Sequence, residues 1–217
     1  MDFSFISKYY FYFIQGAQWT IVVALSSVII GVILALLLTL LKRSKISVFR
    51  WLAVAYIELI RGTPLLLQIY IVYFGFGEFI DIEAGPACII ALSLNSAAYV
   101  SELIRAGIEA VDIGQMEAAR SLGMTEKKAM RLIIIPQAIK NILPAIGNEF
   151  VAIIKESSMA SVLGVKELMY GSKVVGSTTY NYLEALMVAA VFYFIMTFSL
   201  GRLMGYLERR MKVSDRS

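Results

Sequence analysis

The stretch "AQWTIVVALSSVIIGVILALLLTLL", residues 17–41, contains no charged side chain. A hydrocarbon core about 30 Å thick is crossed by roughly 20 helical residues, each rising about 1.5 Å. Of the 217 residues in the chain, 59% are hydrophobic and only 17% are charged. A water-soluble fold of this size cannot bury so much apolar surface. The sequence therefore predicts an all-α, polytopic membrane protein.

Four more segments are long and apolar enough to cross a membrane, which predicts five spans in a single domain covering 1–217. After the first at 17–41, the others are predicted at about 51–77, 86–108, 134–154 and 181–206. Pro64 interrupts the second, where its missing N–H is expected to kink the helix and free the carbonyl of Ile60. Segment 1–14 is dense in Phe and Tyr and is predicted to form an interfacial helix, because aromatic rings settle at the headgroup level.

The charges between the spans predict the orientation of the chain. The loop "KRSKISVFR" after the first span has four basic residues and no acid, whereas "EFIDIEAG" after the second has three acids and no base. Basic residues return between the third and fourth spans and after the fifth. Because basic loops stay in the cytoplasm, five spans place the N-terminus outside and the C-terminus in the cytoplasm.

Composition also excludes several kinds of site. The chain has no histidine and a single cysteine, Cys88. An internal disulfide, a Cys/His zinc site and Ser-His-Asp or Cys-His catalysis are therefore excluded. The sequence has no phosphate-binding G-x-x-x-x-G-K-[ST] loop, and its formal charge of +4 fits basic cytoplasmic loops better than nucleic-acid binding. We predict no catalytic or metal-binding residue, and no cofactor held by this chain.

The predicted cytoplasmic loop at 112–124 contains a short helix with its own start and stop signals. Asp112 and Gln115 have the spacing of a capping box, so a helix is expected to begin near Ile113. Gly123 is expected to end it, and Thr125 to cap a second helix that leads into the fourth span. A helix this short is unstable alone in water. It must pack either against the rest of this chain or into another protein, and its spacing leaves both open.

The residues of this loop resemble the "EAA" loop of ABC-importer permeases. The similar positions are Glu117, Ala118 and Ala119, then Gly123 after three residues, Ile133 after nine more, and Ile135-Pro136. The family has Leu-Pro where this chain has Ile-Pro, an exchange of one apolar residue for another. The resemblance implies that the short helix couples the permease to an ATP-binding subunit. The residues it assigns to coupling are Glu117, Ala118, Ala119, Arg120, Leu122 and Gly123.

The likeness extends to most of the chain and resembles permeases for polar amino acids. It is carried by "ELIRGTPLLLQ" at 58–68, by "SAAYVSELIRAGIEAVDIGQMEAARSLGM" and by "IIIPQAIKNILPAIGNEF". It implies an importer permease in the inner membrane of a bacterium. The partners it implies are an ATP-binding subunit that holds ATP and Mg, a second identical or homologous permease subunit, and an extracytoplasmic solute-binding protein.

Polar residues inside the predicted spans are the candidates for contact with substrate, because an intramembrane charge is costly unless it is paired or hydrated. They are Arg61, Asn95, Tyr99, Glu102 and Glu149. A purely structural role stays open for each of them. Arg61 can form an ion pair with Glu102 or Glu58, and Glu102 can form one with Arg105. Asn95 and Tyr99 can make interhelical hydrogen bonds. Glu149 can face a cavity or pair with a base on another helix.

The intramembrane acids favour a basic amino acid such as arginine, lysine or histidine, while glutamine or another neutral amino acid stays open. The alternative is an ion-coupled secondary transporter or channel without an ATPase, which leaves the EAA pattern unexplained. An intramembrane enzyme has few reaction mechanisms left to it without histidine. A sensor that uses the loop only to recruit a partner would show no substrate flux.

Overall fold

The structure is a computed structural model that describes residues 1–77 and 79–213. This part of the chain is a bundle of α-helices, with one π-helical segment at Met130–Ile134 and one 3₁₀ segment at Ser157–Leu163. The helices are α1 (Ile6–Lys42), α2 (Ser47–Arg61), α3 (Leu65–Gly77), α4 (Ala84–Glu109), α5 (Ile113–Ser121), α6 (Glu126–Ala129), α7 (Ile135–Glu156), α8 (Leu168–Thr179) and α9 (Tyr182–Val213). The predicted all-α class is confirmed.

Four stretches of helix in the described chain are long and apolar enough to cross a membrane. They are Ile6–Lys42, Ala84–Glu109, Glu126–Leu163 and Tyr182–Met211. The pair α2 and α3 supplies a fifth if it is counted as one broken span. These stretches contain four of the predicted spans, and the broken pair covers the predicted second one. The orientation of the bundle stays a prediction.

The aromatic N-terminal segment does not form a helix of its own. From Ile6 onward it belongs to α1, which continues without a break to Lys42. Gly16 lies within this helix where the backbone of α8 packs against it: a Cβ there would lie 2.7 Å from the Cα of Leu168. The close approach needs a residue without a side chain. The position of segment 1–14 at the headgroup level stays a prediction.

The second span is broken rather than kinked. Helices α2 and α3 meet at 112° across Gly62, Thr63 and Pro64, far beyond the bend that a proline alone produces. The carbonyl of Ile60, which lacks its usual donor because Pro64 has no N–H, accepts a 2.8 Å hydrogen bond from Nε2 of Gln68. The freed carbonyl was therefore predicted correctly, and a side chain from the next helix satisfies it.

Helix α4 lies at the centre of the bundle. In its most apolar stretch of 18 residues, 67% of the residues are buried inside the chain. Its buried positions are mostly small residues, which let neighbouring helices approach closely. They include Ala87, Ala91, Ser93, Ser96, Ala97, Ala98, Ser101 and Gly107. Helix α1 packs along α4, so that Gly31 lies against the side chain of Ser96. Helices α3 and α7 pack on it as well.

A buried carboxylate fixes α8 to the bundle at the end opposite α5. Glu167 is fully buried and caps α8, accepting hydrogen bonds from the backbone N–H groups of Met169 and Tyr170. It also accepts a 2.7 Å bond from the hydroxyl of Tyr193 on α9. The hydroxyl of Thr20 on α1 accepts from the N–H of Leu168. These contacts join α8 to α1 and α9 and satisfy its orphan donors.

Candidate coupling helix and intramembrane polar site

Helix α5 begins and ends where its sequence predicts. The Oδ1 atom of Asp112 accepts a 2.7 Å hydrogen bond from the N–H of Gly114, which caps a helix that starts at Ile113. Gly123 follows the helix with φ = +83°, a left-handed conformation that glycine adopts without penalty. Thr125 then caps α6 by accepting from the N–H of Lys128. The predicted helix, its Asp112 cap and its stop at Gly123 are confirmed, whereas Oε1 of Gln115 accepts from Gln137 and does not complete a capping box.

Almost none of α5 is covered by the rest of the chain. Ala119 is its one buried residue, at 2% exposure. Glu117, Ala118 and Arg120 are exposed, and so are the two large apolar side chains at its ends, Ile113 by 74% and Leu122 by 84%. A helix of nine residues with so little cover lacks the packing that normally stabilises a short helix. The uncovered surface of this short helix is therefore accessible to a partner.

Polar side chains tie the α5 region to α7. The Nε2 atom of Gln137 on α7 donates to Oε1 of Gln115 on α5 at 3.3 Å. One helical turn further into the bundle, Asn141 donates to the backbone carbonyl of Gly107 on α4. These two contacts join α4, α5 and α7 on one side of the molecule. Helix α7, which also carries Glu149, is therefore in polar contact with α5.

Asn95 makes an interhelical hydrogen bond, one of the two roles left open for it. Its Nδ2 donates at 2.9 Å to Oε1 of Gln68 on α3, and its side chain is only 5% exposed. The same Gln68 satisfies the carbonyl of Ile60 at the break between α2 and α3. Asn95 thus positions Gln68, whose hydrogen bond to Ile60 joins the two halves of the broken span.

Neither of the ion pairs left open for Arg61, with Glu102 or with Glu58, forms within the described residues. Arg61 lies over the ring of Tyr99, with 5.8 Å from its Cζ to the ring centroid, in a cation–π contact. Glu102 pairs instead with Lys42 on α1 at 2.5 Å and with Arg105 at 3.0 Å, the latter a predicted alternative. Asn95, Tyr99 and Glu102 share one side of α4, as predicted, but each contacts a different partner.

Glu149 is half-buried on α7, and within 1–77 and 79–213 no ion pair joins it to a basic side chain. The Oγ atom of Ser96, a buried residue of α4, makes no hydrogen bond within the described residues. Glu156 lies two turns further along the same side of α7. The possibility that Glu149 pairs with a base on another helix of this chain is therefore not realised.

Helix α7 has an uncovered polar face that runs along the span. Asn141, Asn148 and Lys155 recur every seven residues and are all exposed. Ala145 and Ala152 lie between them and are half-exposed. This spacing places the five side chains on one seam of the helix. Polar side chains are not stable against hydrocarbon, so this face meets water or another polypeptide.

The uncovered face of α1 is entirely different. Its exposed large side chains are apolar along the membrane-spanning part of the helix, and they include Trp19, Val22, Ile29, Ile33, Leu36 and Leu40. Such a face is stable against lipid chains. The bundle therefore has one side suited to lipid and another, on α7, suited to a polar environment.

Sequence reasoning missed three residues of these networks. Lys42 ends α1, Gln68 follows the break in the second span, and Glu167 precedes α8. Their partners Glu102, Asn95 and Tyr193 lie 60, 27 and 26 residues further along the chain. The one available signal is a polar residue inside an apolar stretch, as at Gln68.

A bundle of membrane-spanning helices with an uncovered polar seam is the architecture of a protein that packs against another polypeptide or a hydrated path within the membrane. Residues 27–213 match the family described as binding-protein-dependent transport system inner membrane component, and the chain belongs to this family. As in its relatives, such a subunit translocates substrate and is not itself catalytic.

Named relatives match over nearly their whole length. The arginine transport system permease protein ArtQ of Bacillus subtilis (strain 168) is 42% identical, with 99% of each chain covered. A putative glutamine transport system permease protein GlnP of Rickettsia conorii is 40% identical over 98% of this chain and 100% of its own. The solved structure titled "Crystal structure of an amino acid ABC transporter with histidines" superposes with a TM-score of 0.94 at 48% identity, covering 97% of this chain and 99% of that one.

Proposed function

We propose that this chain is one of two permease subunits of an ATP-driven, binding-protein-dependent importer of polar amino acids, with a preference for basic ones. The permease role follows from the family and from relatives that are arginine and glutamine permeases. The proposed location is the inner membrane of a bacterium, with the N-terminus outside and α5 in the cytoplasm. The second permease subunit, the ATP-binding subunit and an extracytoplasmic solute-binding protein complete the assembly.

The observation that carries the proposal is the uncovered polar seam of α7. Asn141, Asn148 and Lys155 are all exposed on a helical stretch that is long and apolar enough to cross a membrane, and Asn141 also donates to the carbonyl of Gly107 on α4. Facing lipid, they would each cost on the order of a few kcal/mol. A second permease subunit that packs beside this seam would enclose a hydrated pathway between the two chains and remove that cost. The substrate then crosses along α7.

The exposed helix α5 is the proposed docking site for the ATP-binding subunit. Its uncovered apolar ends, Ile113 and Leu122, and its exposed Glu117 would be covered by a groove in that subunit. ATP and Mg bind in the partner, because this sequence has no phosphate-binding loop of its own. Closure of the ATP-binding subunits would move α5, and the contact of Gln115 with Gln137 passes that motion to α7. Such a motion would switch the pathway between inward- and outward-facing states.

Of the five candidate substrate residues, three have side chains that a substrate can reach. Asn95 is occupied by Gln68, and Glu102 is neutralised by Lys42 and Arg105. Glu149 retains an unpaired carboxylate in the described chain and supplies a partner for a guanidinium or ammonium group. Arg61 is exposed beside Tyr99, which is 40% exposed, and supplies a partner for the carboxylate that every amino acid carries.

The test is radiolabelled uptake into proteoliposomes that hold this chain with its ATP-binding subunit, with ATP inside and the solute-binding protein outside. We expect arginine or lysine to enter only when ATP is present. Uptake without ATP would overturn the proposal in favour of a secondary transporter. Binding of the ATPase without uptake of any amino acid would also overturn it and leave a recruiting scaffold.

A further inference from the structure

A charged cavity lies between the ends of α1 and α4 that face the α5 side of the molecule. It has a volume of about 370 Å³. Its polar lining comprises Thr39, Lys42, Arg43, Ser101, Arg105 and Glu109. We propose that this α1–α4 cavity binds the phosphate headgroup of an anionic phospholipid.

Two of the three cations that line the cavity are held in fixed positions. Glu102 pairs with Lys42 and with Arg105, and Glu109 pairs with Arg105 at 2.6 Å. A guanidinium group has five N–H donors and an ammonium group has three, so these carboxylates leave donors free on both side chains. The two acids therefore orient the cations without using all of their hydrogen-bonding capacity.

Arg43 supplies the charge that the acids do not balance. It is exposed, and its side chain makes no ion pair or hydrogen bond within the described residues. With Lys42 and Arg105 it gives three positive charges, against the two carboxylates of Glu102 and Glu109. The cavity thus has a net positive charge and a free guanidinium at its rim, which suits a phosphate oxygen.

The depth of the cavity matches the headgroup layer. The uncharged run 9–41 of α1 spans about 50 Å as a helix, more than a hydrocarbon core about 30 Å thick, so its end lies at or beyond the boundary of that core. Lys42 and Arg43 follow directly. A basic pocket between helices at this level is the kind of site that selects an anionic headgroup.

An apolar surface beside the cavity favours a lipid over a soluble phosphate compound. Leu36 and Leu40 of α1 are one turn from the lining residues Thr39 and Arg43, and both are more than half exposed, at 52% and 68%. Ile29 and Ile33 continue this exposed strip toward the middle of the membrane. An acyl chain can lie along these side chains while its phosphate occupies the cavity.

The test uses a tryptophan reporter in the cavity. Trp19 and Trp51, the two native tryptophans, are replaced by Phe, and Ile108→Trp is introduced into the full chain, since Ile108 also lines the cavity. The chain is reconstituted in phosphatidylcholine vesicles containing a small fraction of brominated phosphatidylglycerol, which quenches a tryptophan that it touches. We expect the anionic lipid to quench the reporter at a much lower fraction than brominated phosphatidylcholine does.

Three variants separate a specific site from general attraction to a charged surface. Arg43→Gln should raise the fraction of phosphatidylglycerol needed for quenching about fivefold, corresponding to about 1 kcal/mol for one basic residue near the membrane. Thr39→Leu should weaken quenching by filling the cavity without a change of charge. Lys45→Gln, an equal loss of charge outside the cavity, should leave quenching unchanged.

Two results would overturn the proposal. An equal effect of Arg43→Gln and Lys45→Gln, with none from Thr39→Leu, would mean diffuse attraction and no site. Relief of quenching by millimolar inorganic phosphate would mean that the cavity takes a soluble phosphate rather than a lipid. Unchanged thermal unfolding of each variant in detergent shows that the fold is intact, and uptake is not needed as a readout.

Discussion

Asn95 and Asn148 lie in different surroundings, although both are in membrane-spanning helices. Asn95 is buried and donates to Gln68, which in turn satisfies the carbonyl of Ile60. Asn148 is exposed on α7. A buried polar group left without its partner destabilises a fold, whereas an exposed one can be replaced at little cost. The first is therefore a structural residue, and we assign the second to the proposed pathway.

The Asn95→Leu substitution should lower the free energy of unfolding by about 1 kcal/mol, in the range measured for interhelical hydrogen bonds in membranes. It leaves Oε1 of Gln68 without its donor and loosens the break between α2 and α3. The measurement is the thermal unfolding midpoint of the purified chain in detergent. Asn148→Leu is the matched control and should leave the midpoint unchanged; equal shifts for both would contradict the structural role of Asn95.

Glu149→Gln should weaken uptake of arginine about tenfold and uptake of glutamine much less. A hydrogen bond to a charged group contributes about 1.5–3 kcal/mol, and the amide keeps the size of the carboxyl group while removing its charge. The measurement is the KM for each amino acid in the reconstituted importer.

Glu156→Gln is the matched control, since Glu156 is a half-buried acid two turns away on the same side of α7. It should affect the two substrates alike. Equal losses for arginine and glutamine in Glu149→Gln itself would show that the carboxylate does not select for charge.

At the scale of elements, α5 is unusual because its two ends are well defined although the rest of the chain covers little of its surface. The Asp112 cap and the left-handed Gly123 give it definite ends, while Ala119 is its one buried residue. Caps contribute on the order of 1 kcal/mol, and a helix so short needs tertiary packing as well. We expect its remaining surface to be covered in the assembled importer.

Glu117→Arg should abolish co-purification of the ATP-binding subunit and ATP-dependent uptake while leaving the chain folded in the membrane. The side chain is exposed, so reversing its charge disturbs no internal contact. Gly123→Pro should have the same effect by a different route, because proline cannot adopt a φ of +83°.

The control for this pair is Glu83→Arg, the same charge reversal at an exposed acid that precedes α4 and makes no side-chain cap. We expect it to retain the ATPase. Normal uptake and normal co-purification in Glu117→Arg would contradict the assignment of α5 as the coupling helix.

At the scale of the whole molecule, the described bundle is asymmetric in what it exposes. Helix α1 presents apolar side chains such as Ile29 and Leu36, whereas α7 presents Asn141, Asn148 and Lys155. Lipid can cover the first face and not the second. The proposed pathway therefore requires a second subunit. We expect that subunit to pack beside the polar face of α7.

The predicted orientation can be checked with single cysteines in a Cys88→Ala background, since Cys88 is the one native cysteine and is buried. In intact cells, a membrane-impermeant maleimide should label Lys166→Cys, an exposed position before α8. It should label Leu122→Cys only after the cells are opened. The reverse pattern would place α5 outside and rule out contact with a cytoplasmic ATPase.

Local features were the ones that could be predicted. The caps at Asp112 and Thr125 and the stop at Gly123 each depend on residues within one turn of the chain. The carbonyl freed by Pro64 was foreseen for the same reason. Its new partner Gln68 was not, and the 112° break was expected only as a kink. For Glu102, the ion pair with Arg105, one turn away, was among the expected alternatives. The ion pair with Lys42, on another helix, was not.

The sequence by itself determined that this protein folds in a membrane, that it is all-α and where its short capped helix lies. Hydropathy and capping are properties of consecutive residues, so they can be read locally. Only the tertiary structure decided which polar side chains are paired and which are uncovered. Glu102 and Asn95 find partners 60 and 27 residues away, whereas within the described chain Glu149 has no basic partner. These pairings depend on how helices that are distant in sequence pack together. The residues of one membrane span do not specify which other spans will pack against it.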